Sequence, residues 1–164
     1  MSQVSKSRNR ANKFIAASGK PSSMKPIGLS REECESLLSR GRYGRLGLCG
    51  DHPYVVPMSY VFADGCIFLH SGPGGRKVQM AMSNPNICFE VDELCGQQWR
   101  SVIVTGQAKL SDSSESKDRM FRIFSERGMG GHGGQVPSRE MLAKIPMVIW
   151  EIPVQEISGR EGAW

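Results

Sequence analysis

No run of about 18 apolar residues occurs anywhere in the 164-residue chain, which leaves it without a transmembrane helix and off the membrane. There is no CxxC pair. The five cysteines, Cys34, Cys49, Cys66, Cys88 and Cys95, are odd in number and spread out, and the three histidines are scattered. That spacing gives no metal site and reads as reduced thiols in a cytoplasmic protein. No GK[ST] follows the glycine-rich stretch 128–134, so it is not a phosphate-binding P-loop, and no Rossmann fingerprint joins a strand to a helix. Residues 1–25 contain no Asp or Glu but hold Lys6, Arg8, Arg10, Lys13, Lys20 and Lys25. The remainder has 15 basic residues against 16 acidic ones, a balance of −1, so the net charge of +5 belongs to a tail. A near-neutral body argues against nucleic-acid binding as the main function. The apolar stretch 14–17 is too short for a secretory signal, and 1–25 reads as a disordered extension, with Met24 as an alternative start.

What is present is a series of short apolar–polar alternations. They predict six strands, over 42–48, 54–62, 66–71, 86–93, 101–110 and 147–157. Asp64-Gly65 predicts a two-residue hairpin turn, and Pro57 marks its strand as an edge or a bulge. Helices are expected over 31–40, 76–83, 113–127 and 138–144. Ser30 and Glu33 would form a capping box, Gly41 a left-handed terminus, and Asp112 the cap of the third helix. Most links are too short for parallel crossovers, so the fold class is mainly β, an antiparallel barrel with added helices. The folded domain is expected over 26–157, with 158–164 as a C-terminal tail.

Three stretches carry chemistry. In residues 70–77, HSGPGGRK, a strand ends, glycines turn the chain, and a helix opens with Arg76 and Lys77. Two cations in a first turn oppose the helix dipole unless an anion sits there, and a phosphate monoester fits. Residues 55–60 (Val55, Val56, Pro57, Met58, Ser59, Tyr60) read either as a plain core strand or as a bulged wall for a flat ring. Arg100 and Ser101 stand at a strand start, as surface residues or as contacts to a ligand's polar edge.

In order, YVVPMSY, a DG hairpin, IFLHSGPGGRK, NPNICFEVD and RSVIVTGQAKL resemble the pyridoxamine 5′-phosphate oxidase-like split-barrel flavoproteins, nearest the branch with the nitroimidazole-resistance reductases. The resemblance covers residues 26–157. It implies a six-stranded antiparallel split β-barrel, a homodimer, and two FMN sites at the subunit interface. It places residues 55–60 along the flavin, His70 and Ser71 beside it, Arg76 and Lys77 on its phosphate, and Arg100 and Ser101 at its carbonyl edge. The oxidase branch has a glutamine where Ser101 stands, and its substrate-binding C-terminal segment has no counterpart here.

The resemblance also implies an oxidoreductase acting on a small molecule, with NAD(P)H as a transient donor. Either His70 is a catalytic proton donor or it only positions the cofactor. The alternatives are a flavin-binding sensor or store without turnover, and a haem-binding split-barrel protein with His70 or His132 as axial ligand.

Overall fold

The computed structural model describes residues 25–128 and 138–164. The basic stretch to residue 24, and residues 129–137 with His132 among them, lie outside the described residues, so only Lys25 of the 1–25 tail and only Gly128 of the 128–134 loop are placed.

The described residues form nine strands and four helices: β1 (Ile27–Gly28), α1 (Arg31–Arg40), β2 (Tyr43–Leu48), β3 (Tyr54–Ser59), β4 (Val61–Ala63), β5 (Cys66–Ser71), α2 (Arg76–Ser83), β6 (Asn86–Cys95), β7 (Gln98–Gln107), β8 (Lys109–Ser111), α3 (Ser114–Glu126), α4 (Arg139–Lys144) and β9 (Val148–Ala163). All pairings are antiparallel, in the order β3-β2-β6-β7-β9-β5-β4, with β1 and β8 also on β9. The sheet curls into a half-open, split barrel.

The expected count of six strands becomes nine for local reasons. The second expected strand divides at Tyr60, the fifth at Ala108, and Ile27–Gly28 adds a short pairing with β9. The last strand does not stop at residue 157. It runs through the stretch expected as a tail, because Arg100 pairs with Glu161 and Gln98 with Ala163 across β7 and β9. β9 is the element that joins the two halves. Its first part pairs with β5 from Pro153 back to Val148, and its second part with β7 up to Ala163.

Local chemistry explains the helices. Ser30 Oγ accepts from Glu33 N–H at 3.2 Å, Glu33 returns the bond to Ser30 N–H at 2.8 Å, and Cys34, Leu37 and Leu38 are buried behind the cap. Gly41 does not take the expected left-handed conformation. Its φ is −67°, because the chain leads straight into β2, and a side chain there would meet the Tyr60 hydroxyl. The cap of α3 is Ser113 rather than Asp112, its hydroxyl accepting from Ser116 N–H. Asp64 and Gly65 both have positive φ, 51° and 71°, as the two-residue hairpin requires.

Period-two alternation sorts the apolar residues into two cores. Ile67 and Leu69 of β5 face the barrel interior with Trp150, Tyr60, Phe89 and Leu46. Phe68 faces the other way, against Ile149 and against Met120 and Phe124 of α3. Lys117 is buried and donates to the Ile145 carbonyl at 2.8 Å, tying the end of α4 to α3. All five cysteines are unpaired thiols. Among the described residues, no helix is long and apolar enough to cross a membrane, and no three His, Cys, Asp or Glu side chains cluster as metal ligands.

Candidate functional site

β3 and β4 are consecutive in sequence yet occupy opposite ends of the strand order. Among the described residues β3 pairs with β2 on one side only, so its other edge faces the split without a strand partner there. Pro57 lies on this edge strand, where a missing N–H costs no ladder bond. Val55, Pro57 and Ser59 are exposed, whereas Val56 and Met58 are half-buried and pack on the core. Tyr60 differs from its neighbours. Its side chain is fully buried, edge-on to Phe89 at 5.1 Å, with its hydroxyl donating to the Leu38 carbonyl at 2.8 Å. Burial pushes the phenol well above its ordinary pKa, so it stays protonated. The Tyr60 backbone N–H donates to the Arg42 carbonyl at 3.1 Å, so Tyr60 offers no free donor to a ligand in the split.

At the end of β5 the neighbours His70 and Ser71 point to opposite faces, as alternation dictates. Ser71 Oγ accepts from Trp150 Nε1 at 3.0 Å and donates to the Gly72 carbonyl at 2.9 Å, so its rotamer is set by the barrel core. His70 lies on the α3 side, its ring edge-on to Phe124 with centroids 5.8 Å apart. His70 is exposed at the strand end, but the side of its ring against Phe124 is desolvated, which lowers its pKa below the ordinary histidine value and favours the neutral imidazole at neutral pH. The NMR titration of His70 should therefore have its midpoint below about 6.5. The unfolded chain binds this proton at higher pH than the folded chain. Stability contributed by neutral His70 is thus present above that range and falls as the pH drops through it. A midpoint at or above the ordinary value would contradict the packing against Phe124.

After Ser71 the chain turns through Gly72 to Gly75 into α2. Gly75 caps the helix at φ 94°, a conformation a side chain would resist, and offers no side-chain bond to the first-turn N–H groups. The first turn has no acidic residue and carries Arg76 and Lys77. The Arg76 guanidinium lies over the Tyr54 ring, 4.7 Å from its centroid, which draws the start of α2 against the start of β3. Tyr54 was missed as a site residue. It opens the YVVPMSY segment, but nothing local predicts a contact across 22 residues of chain, the difference between positions 54 and 76.

Arg100 and Ser101 lie elsewhere. Tyr54 shares a row of the sheet with Leu48, Ile87 and Gly106, whereas Arg100 pairs with Glu93 and Glu161. Six residues of β7 separate Gly106 from Arg100, about 20 Å at strand rise. Arg100 Nε binds Glu161 Oε2 at 2.7 Å. Ser101 sits on the opposite face of β7, with exposed Ile103. One chain therefore brings together the edge of β3, the end of β5 and the start of α2, and holds Arg100 and Ser101 at the far end of the sheet. A separate cavity of about 260 Å³ lies against α3, with Lys109, Ser111, Arg119 and Glu151 over Phe68 and Ile149. It is away from the open β3 edge, and its Arg119 and Glu151 pair with each other at 3.0 Å.

This geometry is that of a split-barrel protein, and comparison with known proteins gives the family. The chain belongs to the pyridoxamine 5′-phosphate oxidase family, whose sequence profile matches residues 30–161. An uncharacterised protein of Rhizobium meliloti is 37% identical over 81 residues, covering 48% of this chain and 53% of that protein. The chain thus matches about half the length of this curated relative. Among solved structures, a candidate 5-nitroimidazole antibiotic resistance protein from Bacteroides thetaiotaomicron aligns with a TM-score of 0.72 at 23% identity, over 85% of this chain and 89% of that one. An FAD-binding protein from Mesorhizobium loti aligns with a TM-score of 0.67 at 28% identity, over 85% of this chain and all of its own, 100%.

Proposed function

We propose that this chain binds FMN in the split beside β3, works as a homodimer, and serves in the cytoplasm as an oxidoreductase for a small molecule. The observation that carries this reading is the open β3 edge drawn against the first turn of α2 by the Arg76–Tyr54 contact. Val55 and Pro57 offer apolar surface to a flat ring, and the backbone of the edge, without a strand partner there, matches its polar rim. Arg76, Lys77 and the uncapped N–H groups of α2 suit a terminal phosphate. The flavin-binding description of the Mesorhizobium loti protein supports the same cofactor class.

A bound flavin supplies the electron transfer, and the protein supplies orientation and exclusion of water. His70, with its neutral imidazole favoured at neutral pH, can hold a hydrogen bond without placing a cation by the ring. Ser71 is kept in place from behind by Trp150. The second copy is motivated by the remote Arg100–Ser101 end and by the outward sheet face, where Tyr43, Val55 and Ile103 are exposed. NAD(P)H would meet the ring transiently.

The test is anaerobic mixing of FMN-loaded protein with NADH or NADPH, followed by a panel of acceptors that includes nitroaromatics and pyridoxamine phosphate. The proposal expects the flavin to bleach with one donor and recover with one acceptor. A flavin that stays oxidised with both donors would contradict turnover and leave a flavin-binding store.

A further inference from the structure

Arg76 differs from most arginines of the chain in what holds it. Arg31, Arg40, Arg45, Arg100, Arg119 and Arg122 each pair with a carboxylate. Among the described residues no carboxylate pairs with Arg76, and its partner is the Tyr54 ring, whose centroid lies 4.7 Å from the guanidinium carbon. A π face attracts a cation without presenting an oxygen to its N–H groups. The planar fork of the guanidinium therefore keeps its donors for an oxyanion, and its geometry suits a phosphate.

Tyr54 is itself fixed. It opens β3 opposite Leu48 of β2 and packs, half-buried, on the barrel core. The same hairpin holds the other end of α2, where the C-cap Asn84 donates from Nδ2 to the Cys49 carbonyl at 3.3 Å. The helix is thus tied along the β2–β3 turn at both ends, and Arg76 stands at the end where Gly75 supplies no side-chain bond. A loose arginine loses rotamer freedom when it meets a phosphate, which weakens binding. An arginine already held by a ring loses less.

We infer that Tyr54 is a positioning residue: it pre-organises Arg76 toward a phosphate monoester and so sets how strongly the site prefers FMN to riboflavin. This rests on the flavin reading above. Tyr54 acts through Arg76, so its effect belongs to the phosphate and not to the isoalloxazine ring.

The readout is the ratio of FMN affinity to riboflavin affinity, from calorimetric titration of the full chain. Tyr54→Leu keeps apolar bulk on the core and removes the π face. It should lower the ratio roughly tenfold by weakening FMN alone. Tyr54→Phe keeps the face and should recover most of that loss. In an Arg76→Ala chain, Tyr54→Leu should lower the ratio no further, whereas in a Lys77→Ala chain it should lower it as in the wild type. Equal losses of FMN and riboflavin in Tyr54→Leu would overturn the inference. So would a further drop in the Arg76→Ala chain, or a Tyr54→Phe chain as poor as Tyr54→Leu. If Tyr54→Leu does not fold, NMR of the ligand-free wild type decides: the Tyr54 ring current should move the Arg76 δ-protons upfield, and unshifted δ-protons would overturn the contact. A wild type that binds neither flavin would overturn the flavin reading itself. One that binds both equally would overturn the phosphate role of Arg76 and this inference with it.

Discussion

Replacing Arg76 and Lys77 together by alanine should weaken FMN binding about a hundredfold or more, while riboflavin binding changes much less. A hydrogen bond to a charged group contributes about 1.5–3 kcal/mol, and two lost together exceed the roughly 2.7 kcal/mol of a hundredfold change. The same variant has a second signature. Both cations sit in the first turn of α2, where they oppose the helix dipole by about 0.3–1 kcal/mol each. Without ligand, the variant should therefore be little destabilised, the relief offsetting the lost Arg76–Tyr54 contact. Titration calorimetry with the two flavins, beside a denaturant melt of the apo proteins, measures both. Equal losses for FMN and riboflavin would refute the phosphate role.

Trp150→Ala should be the most damaging single core change, about 3–5 kcal/mol. Trp150 is fully buried where β9 crosses β5, opposite Leu69, and its indole N–H reaches Ser71. Truncation leaves a cavity between the two halves of the barrel and frees Ser71 at the edge of the site. Trp150→Phe keeps most of the packing and loses the hydrogen bond, so it should cost far less in urea unfolding yet still loosen the end of β5. If alanine and phenylalanine were equally mild, the join between the halves would not depend on this residue.

Much of the barrel was legible because its strands alternate and its turns carry distinctive residues. The Asp64-Gly65 hairpin, the Ser30–Glu33 capping box and the edge position of Pro57 follow from local chemistry. What was not legible depends on ladders rather than on side chains. The segment SGREGA continues β9 although its glycines and charges give no alternating signal, because β7 and β1 supply backbone partners on both sides. The division at Tyr60 was hidden because an aromatic residue fits a strand pattern as well as a corner anchored on the Leu38 carbonyl.

The candidate site was half readable. The cations at the start of α2 declared themselves by opposing the dipole. Arg100 and Ser101 were read as one unit because they are adjacent. A period of two places adjacent residues on opposite faces, and here one meets Glu161 while the other looks outward.

The split beside β3 and α2 is the proposed FMN site. Its most direct test is the absorption spectrum of the purified protein, taken as isolated and again after addition of FMN and desalting. Bands at about 370 and about 450 nm that survive desalting are the predicted result for oxidised flavin. A haem Soret band, or a colourless protein that releases all added FMN, would contradict it.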